Sequence, residues 1–420
     1  MRSAGRFLGA ACLAQLTLGL IGSAAAEDQE TQPSSLQSVP VFGGPSSVGA
    51  ELRPGDGLTD PIYRSDAIQT GLAPWFSAKE WLAGEYGLAV GVDYQSLFQA
   101  ATASMGDDMA ASGIFRAYAS WTLLGRESGN TGTLVAKVEN RHGYTDTVPQ
   151  NLGFAAGAVS ITGTMFSDYN GWGLTNLYWQ QKLADGRLSF VIGQVDATDY
   201  LDMYGLINPL TAFQNLAFST NPTIASPNQG LGAAAGAYLT NHIYGIVGLA
   251  DANGDPTNLD LSLFDDFETF KHAELGWVSS RDRAYFDNIH VTVWHQDARS
   301  AAGVPEDYGA SFSAAWLVDN RWAPFLRAGV SKGTAALYDA SISAGVGYLN
   351  RHRDLMAIGL NWASPGDDSL DDQFTAEAFY RFQASQNFAA TLDGQVIVNP
   401  ALNPAESAIG VLGVRARVNL

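Results

Sequence analysis

From residue 86 onward, hydrophobic and polar residues alternate with a period of two, and the pattern returns to the end of the chain. Leu88, Val90, Val92 and Tyr94 fall on one face, while Ala89, Gly91, Asp93 and Gln95 fall on the other. In 133–141, Leu134, Ala136 and Val138 alternate with Lys137, Glu139 and Arg141. In 288–296, Ile289, Val291 and Val293 alternate with His290, Thr292, Trp294 and Gln296. In 374–383, Phe374, Ala376, Ala378, Tyr380 and Phe382 alternate with Thr375, Glu377, Phe379, Arg381 and Gln383. At the end, Leu412, Val414, Ala416, Val418 and Leu420 oppose Gly413, Arg415, Arg417 and Asn419. Successive side chains of a strand point to opposite faces, so these segments predict two-faced β-strands.

Soluble sandwiches also contain two-faced strands, and three features favour a membrane barrel. The segments run to about ten residues, the length a tilted membrane strand needs. The face opposite the apolar one carries full charges, as a water-filled lumen requires. Aromatic residues lie near segment ends, as Trp121, Trp179, Trp277, Trp316, Trp322, Tyr348 and Trp362 do, where interfacial girdles sit. The expected fold is therefore all-β, a transmembrane antiparallel β-barrel over 86–420. Spacing gives about 16 strands, the size at which a barrel encloses an aqueous channel. Ala252-Asn253-Gly254-Asp255 and Ser364-Pro365-Gly366-Asp367 supply turns. The stretch 197–230 is too long and too rich in Pro and Asn for a turn, and reads as an external loop or one folded into the lumen.

The start of the chain has a different grammar. Arg2 and Arg6 precede an apolar run from Phe7 to Gly22, followed by Ala24-Ala25-Ala26 and Glu27. This is the pattern of a secretory signal peptide over 1–26, and the single Cys, Cys12, lies within it. Residues 27–85 read as a flexible, periplasmic entry segment with a short helix over Pro74 to Leu82, where Trp75, Lys79 and Leu82 share helical spacing. Met203 to Ala250 lacks Asp, Glu, Lys and Arg, but Pro209, Pro222 and Pro227 break it, so it is no spanning helix.

Composition narrows the function. Only 15% of the 420 residues are charged, against about 25% in an ordinary soluble domain. The 42 acidic and 23 basic residues give a formal net charge of −19, a poor match to a nucleic-acid binder. No enzyme, metal or cofactor signature emerges. Asp251-Ala252-Asn253-Gly254-Asp255 begins like a calcium loop, but Pro256 and Ser262 occupy its Gly and closing Glu positions. Gly230, Gly232 and Gly236 lack dinucleotide spacing, and His290 and His295 would face opposite sides of one strand.

The chain resembles the carbohydrate-selective porin family (OprB-like) of Gram-negative outer membranes from about Trp81 onward. The resemblance is carried by 132–142 (GTLVAKVENRH), 293–297 (VWHQD), 324–329 (PFLRAG), 377–383 (EAFYRFQ) and 395–404 (QVIVNPALNP), in that order and spacing. It implies a 16-stranded outer-membrane porin that passes monosaccharides and small oligosaccharides passively, through a constriction of basic and acidic side chains. Such barrels usually end in an aromatic residue, whereas this sequence ends Val418-Asn419-Leu420.

On that reading, Lys137, Glu139 and Arg141 are the first substrate-contacting candidates, since all three project from one face of one strand. Arg116, Glu377 and Arg381 are the second choice, and Trp294 offers a flat apolar surface to a sugar ring. A solvated or internally paired charge away from the narrowest point is the plainer role for any one of them. The expected partners are small sugars, outer-membrane lipid and the outer-membrane assembly machinery. A homotrimer is compatible with the apolar outer face, which suits lipid and a neighbouring subunit alike. The competing readings are a general diffusion porin without sugar preference and an exported soluble glycan-binding β-protein.

Overall fold

A computed structural model describes residues 42–53, 61–258, 263, 267–350 and 354–420. The expected signal peptide, with Cys12, and residues 27–41 and 54–60 of the expected entry segment lie outside the described residues.

Sixteen strands follow one another as β1 (Leu88–Ala101), β2 (Met109–Leu124), β3 (Gly132–Gly143), β4 (Gly171–Leu183), β5 (Leu188–Val195) and β6 (Gly230–Tyr238). They continue as β7 (Ile243–Asp251), β8 (Thr269–Val278), β9 (Asn288–Gln296), β10 (Asp307–Ala315) and β11 (Trp322–Ser331). The last are β12 (Tyr338–Leu349), β13 (Leu355–Pro365), β14 (Gln373–Ser385), β15 (Phe388–Val398) and β16 (Ala408–Asn419). Each strand pairs antiparallel with its sequence neighbours, and β1 pairs with β16 to close the barrel. Reciprocal bonds from Leu420 N to Val92 O (2.9 Å) and from Val92 N to Leu420 O (3.2 Å) extend that seam. Closure leaves no edge strand, which is how a sheet satisfies its backbone in hydrocarbon.

The faces fall as the alternation predicts. Val291, Val293, Leu412 and Val414 are exposed on the outside, whereas Lys137, Glu139, Arg141, Glu377, Arg415 and Arg417 are buried inside. Connections differ at the two ends: one end carries 144–170, 196–229 and 252–268, the other short turns such as 184–187, 239–242 and 386–387. In bacterial barrels the short turns are periplasmic and the long loops extracellular. Of the seven aromatics expected in girdles, all but Trp362 lie towards the short-turn end. There Trp277 stacks on Trp316 at 5.5 Å and Trp322 packs on Tyr348 at 4.4 Å, forming an aromatic belt.

The helix expected over Pro74 to Leu82 begins earlier. It spans Asp66–Trp81 and runs on as a π-helical turn, Leu82–Tyr86, directly into β1. Ser65 caps it by accepting from Ile68 N at 3.3 Å, a start signal that the spacing of the apolar residues missed. The helix lies at the short-turn end, where Ile62 N donates to Gln383 O at 2.9 Å. Residues 42–53, expected to be part of a flexible segment, are instead packed inside the barrel, with Val48 fully buried beside Tyr118 and Val135. Among the described residues no helix is long and apolar enough to cross a membrane.

The apolar exterior yields a direct prediction. Val291→Arg, at mid-height on the outer face of β9, should destabilise the folded barrel by about 2–4 kcal/mol. Equilibrium unfolding in urea from lipid vesicles measures it; a change near zero would mean that this face does not meet hydrocarbon.

Candidate functional site

The connection 196–229 does not stand outside the barrel. It folds into the lumen, where Tyr204, Phe213, Phe218 and Gln214 are almost completely buried. Polar groups along its length are fixed to the wall. Glu377 on β14 accepts from Gln214 N at 2.6 Å and from Asn215 N at 3.0 Å. Across the lumen, Asp202 binds Arg327 of β11 and lies 3.0 Å from His290 Nε2 of β9. Arg415 of β16 donates to the carbonyls of Pro209 and Ala212. Hydrogen bonds to ionised groups such as Arg327 and Arg415 are among the strong ones, so the loop is a fixed part of the lumen.

Lys137, Glu139 and Arg141 project inward together from β3, as their spacing implies. Glu139 Oε2 lies 2.7 Å from Arg141 Nη2, and Glu139 Oε1 lies 3.9 Å from Lys137 Nζ. Lys137 Nζ also lies 3.9 Å from Asp199 of the inserted loop. The Arg141 guanidinium stacks over the Tyr169 ring at 4.5 Å. Sequence reasoning missed Tyr169, which comes from the 144–170 loop and has no strand periodicity to reveal it.

Arg116 lies beside this group. The β2–β3 register sets Arg116 opposite Glu139, and Arg116 Nε donates to Asp93 at 2.9 Å. Its guanidinium also faces the Tyr118 ring at 5.6 Å, two residues along the same strand. Arg417 of β16 reaches Asp93 at 3.3 Å. Asp93 and Arg417 were visible in the alternation, but their pairing across β16, β1 and β2 was not.

Glu377 and Arg381 do share the inner face of β14. Glu377 anchors the loop, and Arg381 interacts electrostatically with Arg415. Trp294 corrects an expectation. It faces inward, but its ring stacks on Phe270 at 6.1 Å within an apolar cluster that includes Phe42, Tyr200 and Ile224. Phe270 and this apolar cluster cover the ring, whereas Lys137, Glu139 and Arg141, equally buried, keep charged neighbours. The physical reason is the inserted loop, whose apolar side chains cap this part of the wall. Among the described residues, no cluster of His, Cys, Asp and Glu could hold a metal ion.

The lumen is therefore lined by paired charges and narrowed by an inserted loop, inside a closed barrel with an apolar exterior and an aromatic belt. These features define an outer-membrane porin. The sequence model of the carbohydrate-selective porin, OprB family, matches residues 121–420, and the chain belongs to that family. Comparison with curated proteins finds no match. Among solved structures, the high-pH structure of Pseudomonas putida OprB aligns with a TM-score of 0.66 at 16% identity, covering 82% of this chain and 97% of that one. The low-pH structure of that protein gives 0.50 at 13% identity, covering 82% and 96%. A mutant of the Rh. blastica porin gives 0.50 at 11% identity, covering 79% and 100%. At these identities the likeness concerns the fold, and the family rests on the sequence match. The chain is thus a sugar porin of the outer membrane.

Asp199 of the inserted loop predicts a pH-dependent selectivity. Burial, with Asp196 adding repulsion, pushes Asp199 up to about 7, although Lys137 and Asn176 oppose the rise. Above that pH Asp199 is ionised and helps to neutralise Lys137; below it the proton returns and Lys137 loses part of its partner. Lowering the pH from 8 to 6 should therefore raise anion selectivity in planar bilayers, and Asp199→Asn should remove that step. A wild-type selectivity unchanged across this range would exclude Asp199 from the ion path.

Proposed function

We propose that monosaccharides and small oligosaccharides diffuse passively along the charged wall formed by β14 to β3 around the seam, beside the inserted loop. One observation carries the reading: the inward cations are matched by nearby carboxylates, Lys137 and Arg141 by Glu139 and Asp199, and Arg116 and Arg417 by Asp93 and Glu51. A wall of this kind is rich in donors and acceptors yet has little local net charge. A hydroxylated, uncharged solute can exchange water for such contacts, whereas an ion gains little from it. The contacts must stay weak and numerous, because a solute has to leave as readily as it enters. Arg116, Lys137, Glu139, Arg141, Glu377 and Arg381 are the proposed lining residues, with no role for Trp294 as a sugar platform. The reading assigns no catalytic residue, metal or cofactor.

The same reading extends to partners. Lipid covers the apolar outer face, a homotrimer would bury part of it, and the assembly machinery would recognise the C-terminal strand through its outward Leu412, Val414, Ala416 and Val418.

Swelling of liposomes containing the purified protein tests the sugar preference. Glucose should enter faster than an amino acid of similar size. Equal rates would reduce the protein to a general diffusion pore, and no swelling above protein-free vesicles would remove the channel reading. Arg141→Glu should shift ion selectivity towards cations; an unchanged reversal potential would place Arg141 away from the constriction.

A further inference from the structure

The barrel wall alone does not balance its charge where β16, β1 and β2 meet. Their inner faces bring Arg417, Asp93 and Arg116 together, two guanidiniums around one carboxylate. The second carboxylate comes from outside the barrel. Glu51, at the end of the short helix Val48–Glu51, accepts from Arg417 Nη2 at 2.6 Å and lies 3.2 Å from Arg116 Nη2. Its side chain is only 4% exposed.

The segment that delivers Glu51 is seated by its own contacts. Asn208 Nδ2 donates to Pro45 O at 2.9 Å and to Glu51 Oε1 at 3.1 Å. Gly44 N donates to Asp199 O at 2.9 Å, and Gln180 Nε2 donates to Phe42 O at 3.0 Å. Gly44 is required by proximity, since a Cβ there would lie 2.5 Å from Asp199 O. Val48 fills the space beside Tyr118 and Val135. The segment thus touches both the inserted loop and the wall, and Glu51 completes a square of two cations and two anions. Although burial opposes its ionisation, Arg116 and Arg417 hold the Glu51 carboxyl at about 2, so it is charged at any pH a cell meets.

We infer that Glu51 is a selectivity-determining residue of the channel, supplied by the N-terminal segment rather than by the barrel. It cancels the excess positive charge of the Arg116–Asp93–Arg417 wall, so the path favours uncharged sugars over small anions. The inference rests on the porin reading, and it adds a residue that lies before the region matched by the family. In a narrow passage with low-dielectric walls, one uncompensated charge strongly alters the local ion concentration.

The test is the chloride-to-potassium permeability ratio of single pores in planar bilayers, alongside glucose swelling of vesicles. Glu51→Gln should raise the ratio severalfold, Glu51→Asp should leave it near wild type, and Glu51→Gln with Arg417→Gln should bring it back down. A Glu51→Gln pore that conducts with the wild-type ratio overturns the inference. If that variant fails to assemble, as judged by loss of heat-modifiable mobility, Arg417→Gln alone decides: the ratio must fall, and an unchanged ratio overturns the inference. Wild-type protein that admits no glucose would instead sink the porin reading itself, so the two failures are distinct.

Discussion

Inside a bilayer an unpaired backbone N–H or C=O has no water to turn to, and that constraint shapes everything else in this protein. The chain meets it by closing sixteen strands on themselves, with β1 and β16 sharing a register from Asp93↔Asn419 to Ala101↔Val411. Closure fixes the parity of every strand, and parity decides which side chains meet lipid. Once Val291 and Leu412 face out, His290, Thr292 and Arg415 must face in. The interior therefore inherits all the charge that the exterior cannot carry.

Charges gathered inside a barrel must be paired or wetted, and here pairing dominates. Removing one partner of a buried pair costs far more than the pair itself contributes, so such groups act together. This explains why the long connection folds inward. Its backbone amides and carbonyls serve Glu377, Arg327 and Arg415, and its own Asp202 meets Arg327 and His290. The outcome is a lumen filled jointly by side chains of wall and loop, with the N-terminal segment as a third contributor. Selectivity on this view follows from charge that is abundant but locally cancelled.

Much of the fold was legible in the sequence because strand parity is a local property. The faces of β1, β3, β9, β14 and β16 followed from alternation alone, and so did the belt aromatics. The site was only partly legible. Lys137, Glu139 and Arg141 lie within five residues of one another on one strand, so their spacing sufficed. That Arg116 lies opposite Glu139 was not legible, because it depends on the β2–β3 register. Trp294 was misjudged because its burial depends on Tyr200 and Ile224, from a loop without periodicity. Glu51 and Arg417 are 366 positions apart, and no local pattern links them. The family resemblance supplied the expectation of a charged constriction, and the residues proposed for it are the paired charges of wall and loop.

The central claim is that sugars travel past this charged constriction. The most direct measurement is the ion current through a single reconstituted pore while glucose or a short glucose oligomer is added to one side. A sugar occupying the constriction must displace ions, so the current should fall in a concentration-dependent and saturable way, beyond the change in solution viscosity. A current that follows bulk conductivity alone, with no saturable component, would contradict the account.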